Sequence, residues 1–447
     1  MSIIADLHLH SKYSRAVSQK MDLDGIADWA DKKGIDLVAT GDWTHPLWFR
    51  EIKRLLIEIA PGIYELKRHR AKFMLTTEIS SIYTQGGKSR RIHNLIMSPS
   101  IATCEKVIAK LEKEGCNLMS DGRPIIGISS KDLLSILLEI DPNIILIPCH
   151  IWTPWFSLFG SKSGFDSVEE SFAELSDYIY GVETGLSSDP IMNWQIKNLE
   201  RRSILSFSDA HSGAKLGREA TVFVVRNPNE DETGSFSYQD IADAIKQKPG
   251  GKLKIGYTIE FFPEEGKYHW SGHRLCNVRY NPQEVKDKGV VCPVCHKPLT
   301  IGVENRVIDL SQKIIKENDL LFVKNSSGVT FVIDKEKKRR PFVSIVPLME
   351  ALVEINRSPT KAAAEYDRLT GVFASEFDIL LKRSYEDITR AGGEKLKQAV
   401  QTIRERKVFV DPGYDGVFGQ VKIFPDNQTP SNDEEIAVEG KNQPSLF

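Results

Sequence analysis

No stretch of this chain approaches the roughly 18 uncharged apolar residues that a membrane-spanning helix needs. The N-terminal residues Met1-Ser2-Ile3-Ile4-Ala5-Asp6 carry no basic segment followed by an apolar run, so no secretory leader is expected and the chain reads as cytoplasmic. Cysteine is scarce, six in 447 residues, and Cys104, Cys116 and Cys149 lie scattered in apolar surroundings, which excludes a disulfide framework. Glycine-rich phosphate loops and dinucleotide fingerprints are missing, so no nucleotide cofactor is expected, and no internal repeat points to a solenoid. Neither sign of charge dominates. The net charge is −2, but beyond Pro425 five acids face a single lysine, so the preceding residues are mildly basic at +2. Bulk charge therefore neither demands nor excludes a polyanionic partner.

What is present is enough apolar residue (41%) for two or three cores. Over residues 1–260, β-rich runs (Ile3–His10, Leu37–Thr40, Lys72–Ser80, Ile92–Met97, Ile144–His150, Tyr180–Glu183, Ile204–Ser208) alternate with amphipathic helical stretches. Those stretches include Leu23–Lys33, Phe49–Ala60, Cys104–Glu114 and Met192–Arg201. Repeated βα units predict an α/β fold with a largely parallel sheet, and about seven strands favour closure into a barrel. Residues 261–305 are turn-rich and carry a Cys/His cluster. Residues 306–424 form a C-terminal region that is helical by pattern from Pro341 to about Lys407, with Ile345, Leu348, Met349, Leu352 and Val353 at helical spacing. Residues 425–447 are acidic and polar, as expected of a disordered tail.

The polar residues suited to chemistry fall at strand ends. In Asp6-Leu7-His8-Leu9-His10 two imidazoles stand two residues apart, which puts both on one face of a strand. Asp209-Ala210-His211 repeats the spacing; Asp42 and His45 follow the second strand, Glu78 ends the third, His93 lies on the fourth and His150 ends the Ile144–Cys149 run. One such histidine would signify little. In register at the rim where barrel active sites assemble, they predict two or three divalent metals, zinc, magnesium or manganese, with Glu78 or Asp209 able to bridge two ions. Two neighbouring ions can clamp a phosphodiester and acidify a bound water. Phosphoester hydrolysis is the expected reaction, with Asp209, His211 and Glu78 as the candidates for catalysis itself.

A second constellation, His273-Arg274-Leu275-Cys276 followed after fifteen residues by Cys292-Pro293-Val294-Cys295, has the spacing of a closed structural zinc site. His269 competes with His273 for the fourth place; the two-residue gap to Cys276 favours His273.

The strand-end motifs resemble those of the polymerase and histidinol phosphatase (PHP) superfamily, which implies a distorted (β/α)7 barrel holding up to three metals. The superfamily has an Asp-His pair after its second strand, whereas here Trp43 follows Asp42 and the histidine comes at His45. More of the chain resembles endonuclease Q. Ser11–Ala16, Phe156–Phe165, Glu183–Pro190, the Cys/His module and Pro412–Gly419 carry that likeness.

The resemblance implies a DNA repair endonuclease, nucleoid-associated, that hydrolyses the phosphodiester 5′ of deaminated bases (uracil, hypoxanthine, xanthine) or abasic sites. It also implies that residues 306–424 bind DNA. A phosphatase of small phosphate esters and an inactive DNA-binding adaptor are the alternatives. Around the rim, Trp155, Phe156, Phe159, Ser161, Lys162, Ser187 and Ser188 are candidates for a base pocket or DNA contact, because an enzyme inspecting a base must extract it from the stack. Lys88, Arg90, Arg91 and the run from Lys335 to Arg340 could meet backbone phosphates. Finally, Gln443, Leu446 and Phe447 in the terminal Gln-Pro-Ser-Leu-Phe resemble the short peptide with which bacterial proteins dock on the DNA sliding clamp.

Overall fold

A computed structural model describes residues 2–227 and 235–424. The tail from 425, and with it the clamp-like peptide, lies outside the described residues.

Strand Ser2–Asp6 is central. It pairs in parallel with Leu37–Ala39, which pairs in parallel with Lys72–Met74, and on its other side it pairs antiparallel with Ala220–Val225. Leu253–Glu260 extends this into a ten-stranded mixed sheet. A four-stranded sheet follows, ordered Ile125–Ile126, Thr76–Gln85, Lys88–Met97, Ile145–Pro148, and then the parallel pair Gly181–Glu183 and Ser203–Leu205. Hydrogen bonds join the three ladders. Ser98 N donates to Leu75 O at 2.9 Å, Ile151 N to Glu183 O at 3.2 Å, and Ser206 N to Thr221 Oγ1 at 3.0 Å.

The side-chain alternation of strands explains how one interior forms. Ile3 and Ala5 point one way and meet Leu37, Met74, Leu95, Ile147, Leu205 and Phe223, contributions from successive strands around the ring. Ile4, Val38, Phe73, Ile96, Leu146 and Val182 point the other way, into the layer of covering helices. Helix Leu23–Lys33 begins where the Asp22 side chain accepts from Gly25 N and ends at Gly34, whose φ of 84° is left-handed.

Three expected elements differ. The helix expected over Phe49–Ala60 stops earlier, as Pro46–Leu55, and Ile57–Ala60 instead pairs as a strand with Ile63–Glu65 around Pro61-Gly62. Gly62 has φ 71°, and a Cβ there would lie 2.5 Å from that of Tyr238, so a turn only glycine tolerates overrides the helical period. The helix expected over Met192–Arg201 is the short Pro190–Trp194 followed by one 3-10 turn at Lys197–Leu199. The C-terminal region opens with strands: Leu320–Lys324 and Thr330–Asp334 form a hairpin, and Phe342–Ser344 pairs in parallel with Leu253–Glu260, so this part extends the large sheet.

Helices Leu348–Asn356, Pro359–Phe373, Glu376–Leu381 and Tyr385–Arg404 then pack back on the first helix. The joint is charged and buried. Lys33 Nζ lies 2.7 Å from Glu376 Oε2, Tyr366 OH donates to the same oxygen at 2.7 Å, and Leu348 N donates to Oε1 at 3.0 Å. Removing one partner would strand the other charge away from water. Glu376→Ala should therefore destabilise the protein by about 3–5 kcal/mol in urea unfolding, and a loss below about 1 kcal/mol would contradict this assignment.

Candidate metal centre

The chain leaves the ladder at Asp6, and Leu9 then bridges in parallel to Ala210, with His10 N donating to Ala210 O at 3.0 Å. This brings the two short motifs side by side. His8 and His10, both buried, lie 5.6 Å apart between ring centroids, and each turns Nε2 toward Asp209 Oδ1, at 3.8 and 3.2 Å. Glu78, on Thr76–Gln85, reaches the same point: its Oε2 lies 3.6 Å from His8 Nε2 and 3.0 Å from His10 Nε2. Its other oxygen faces a second group. Glu78 Oε1 is 2.6 Å from His93 Nδ1 and 3.3 Å from His150 Nε2.

Two sets of ligand atoms thus share one carboxylate: His8, His10, Glu78 and Asp209 in one, Glu78, His93 and His150 in the other. His8 Nε2, His10 Nε2 and Asp209 Oδ1 are buried without a hydrogen-bond partner yet point at each other. Converging orphaned imidazole nitrogens and carboxylate oxygens are the donor set of a divalent cation.

The electrostatics agree. Burial would raise the Glu78 carboxyl, but His93 and Arg123 hold it well below the usual range; burial likewise opposes Asp209, which His211 and His10 hold down. Burial would lower His8 and His10, yet Glu183 and Asp42 respectively pull them well above an ordinary histidine. Burial takes His93 down to about 4, which keeps it neutral. Ionised acids beside histidines drawn toward protonation make a pocket that demands positive charge.

A surrounding layer fixes the imidazoles. His8 Nδ1 meets Glu183 Oε1 at 2.8 Å, and His150 N donates to Glu183 Oε2 at 2.9 Å. Asp42 sits one layer out from both sets: it faces His10 Nδ1 at 3.0 Å and accepts from Ser11 N at 2.6 Å, Ser11 Oγ at 2.7 Å and Ser14 Oγ at 2.9 Å. These contacts occupy its oxygens in orienting His10. His45 also stands apart, its ring stacked on Tyr13 at 4.5 Å. His211 lies 4.8 Å from the His10 ring and turns Nδ1 to the Asp209 carbonyl at 2.9 Å. Asp42, His150 and Asp209 all adopt positive φ (47°, 28° and 47°), a strained conformation that the surrounding contacts hold.

Glu183 and Arg123 were not among the expected site residues. Arg123 Nη1 donates to Glu78 Oε2 at 3.1 Å. A strand-end acid at Glu183 was visible in the sequence; Arg123, in an irregular segment before Ile125–Ile126, gave no signal.

The rim residues divide. Phe156 lies 4.8 Å from the His93 ring, Trp155 meets Tyr268 at 5.7 Å, and Lys162 is exposed. Phe159 is fully buried against Trp152, and Ser188 Oγ donates to Thr184 O at 2.9 Å, so both serve packing beneath the loop. Ser187 is buried, and Ser161 Oγ donates to Ile301 O at 3.2 Å. Arg90 donates to Gly164 O with its guanidinium 4.0 Å from the Phe165 ring, and Arg339 Nη1 donates to Leu199 O and Glu200 O. Those contacts tie Arg90 to the loop carrying Gly164 and Arg339 to the turn at Leu199 and Glu200.

In the Cys/His module, His273, Cys276, Cys292 and Cys295 converge, with His273 Nδ1 3.4 Å from Cys295 Sγ. His269 is turned away, 3.7 Å from Glu304. Burial and the neighbouring thiols raise Cys276 to about 11; burial would raise Cys292 too, but the N–H groups of Cys295 and Val294 bring it to about 6. The set suits a tetrahedral zinc.

No family model matches the chain. The crystal structure of the lesion-specific endonuclease PfuEndoQ from Pyrococcus furiosus superimposes with a TM-score of 0.77 at 28% identity, over 94% of this chain and 95% of that one. An endonuclease Q complex with a 27-mer duplex bearing an abasic lesion at the active site gives 0.78 at 28% identity, over 96% and 98%. The chain is similar to endonuclease Q in sequence and fold over nearly its whole length. Two curated relatives are uncharacterized proteins: YqxK of Bacillus subtilis, 26% identical over 94% of this chain and 99% of its own length, and a Methanocaldococcus jannaschii protein, 27% identical over 62% of this chain. The chain spans only 32% of the latter's length.

Ligand orientation by Glu183 has a measurable consequence. Glu183→Gln should weaken divalent-metal binding by about 10–100-fold in titration calorimetry with the thermal midpoint of the metal-free protein little changed; undiminished affinity would exclude that role.

Proposed function

We propose that this chain is a divalent-metal-dependent DNA endonuclease that hydrolyses the phosphodiester 5′ of deaminated bases or abasic sites. The observation that carries this reading is the Glu78 carboxylate shared between two buried ligand sets within an endonuclease Q framework. We read the ring of strands around the shared interior as the distorted (β/α)7 barrel, with His8, His10, Glu78 and Asp209 holding one ion and Glu78, His93 and His150 a second. Bound there, divalent metals supply Lewis acidity and an acidified water.

The chain's own residues do the rest. Asp42 and Glu183 lock the His10 and His8 rings through their Nδ1 atoms, which leaves Nε2 free to ligate. Arg123, half-buried beside Glu78, stands where charge builds on a phosphoryl oxygen and offers a guanidinium to it. His211, with its Nδ1 engaged by the Asp209 carbonyl, presents Nε2 for proton transfer to the leaving oxygen. The Cys/His module holds a structural zinc, and the C-terminal region and rim contact the duplex. The terminal peptide is a tether to the sliding clamp. The module abuts the rim through Ser161–Ile301 and Tyr268–Trp155, which supports a site serving an extended polymer.

The test is incubation with end-labelled duplexes carrying uracil, hypoxanthine, an abasic site or no lesion, with product ends mapped. Wild type should cut the lesion strands 5′ of the lesion, and Asp209→Asn should lose at least about 100-fold in rate while retaining DNA binding. Hydrolysis of a small chromogenic monoester with lesion duplexes left intact would overturn the proposal in favour of a phosphatase.

A further inference from the structure

The turn Pro412–Gly419 sits against the Cys/His module and leaves two apolar side chains in water: Val417 is 40% and Phe418 64% exposed. Most of the Phe418 side chain remains in water, yet the backbone that presents both residues is tightly held. Gly413 N donates to Glu264 O at 2.8 Å, Gly416 N to Lys267 O at 2.9 Å and Gly419 N to Glu265 O at 3.0 Å, while Tyr414 and Val417 exchange a pair of bonds at 3.0 and 2.8 Å. From the module, Arg274 N donates to Asp415 Oδ2 at 2.7 Å and Asn277 Oδ1 accepts from Tyr414 OH at 2.7 Å.

Glycine is obligatory in two places. A Cβ on Gly419 would lie 2.1 Å from Glu264 O, and Gly416 has φ 89°. An exposed aromatic on a backbone this constrained is prepared for a partner, because the cost of ordering it is already met in the free protein.

Its position says which partner. Lys267 Nζ sits over the Phe418 ring at 4.7 Å; the next residue, Tyr268, meets Trp155 at 5.7 Å; and Phe156, adjoining Trp155, lies 4.8 Å from the metal-site residue His93. Through Lys267, Phe418 thus lies at the outer end of a path of neighbouring aromatic residues that leads out of the candidate active site, with the cations Lys267 and Arg274 exposed beside it. A stacking face flanked by positive charge, one step from a phosphodiester site, fits the base stack of a duplex.

We propose that Phe418 is a wedge that enters the base stack beside the lesion and fills the space left when the damaged nucleotide turns out. This rests on the endonuclease reading above. Extruding a nucleotide from a paired duplex costs free energy that a single strand does not demand, so the wedge is needed for one substrate form and dispensable for the other.

The experiment compares wild type, Phe418→Ala and Phe418→Trp on one abasic-site oligonucleotide, single-stranded and fully paired. The ratio of duplex to single-strand cleavage rates should fall at least about tenfold in Phe418→Ala and recover in Phe418→Trp, with thermal midpoints unchanged. With cleavage blocked by Asp209→Asn, 2-aminopurine placed beside the lesion in the duplex should brighten on binding and should stay dark when Phe418→Ala is added. An unchanged ratio, or equal brightening without Phe418, overturns the wedge. A wild type that cuts neither form overturns the endonuclease reading instead, and the fluorescence still decides the wedge.

Discussion

Everything at the rim depends on one carboxylate serving two ligand sets. Glu78 is buried, with Oε2 facing His8 and His10 and Oε1 facing His93 and His150, so its position fixes the distance between the two sets. A carboxylate so placed must stay ionised without water, and that requires cations on both sides. The scaffold meets this with Arg123 and the imidazoles of His8, His10 and His150, and holds His8 and His10 by further acids, Glu183 and Asp42. Each element that contributes to the ring is therefore constrained at its end by charge as well as in its middle by apolar packing.

Much of this was legible because strands are periodic. The spacing of two at His8 and His10, and again at Asp209 and His211, marked the two motifs although the ladders end earlier, at Asp6 and Leu205; the structure joins them through the Leu9–Ala210 bridge. What the period cannot convey is which ligand-type residue stands nearest the centre. Asp42 carries the same chemistry as Asp209, and only the folded positions of Ser11 and Ser14 show that its oxygens are occupied. Arg123 belongs to no pattern, since an irregular segment places it.

Apolar loops set a similar limit. Phe156 and Phe159 are three apart after the same strand, yet one lies beside His93 and the other is sealed beneath the loop against Trp152. The hairpin from Leu320 to Asp334 was hidden for a different reason. Its strand Thr330–Asp334 pairs with Phe342–Ser344, which in turn pairs with Leu253–Glu260, a non-local ladder that local composition does not report. In the same way the turn at Gly62 closes a hairpin whose first strand, Ile57–Ala60, stands where hydrophobic spacing alone would have continued the helix.

Glu78, so placed, should hold two cations apart. Anomalous diffraction from crystals grown with manganese, recorded at an energy where manganese scatters, counts them directly. Two peaks about 3.5–4 Å apart are expected, one on each side of the Glu78 carboxylate, with a separate zinc-edge peak among His273, Cys276, Cys292 and Cys295. A single manganese peak, or peaks not touching Glu78 while the module's zinc peak is present, would contradict it.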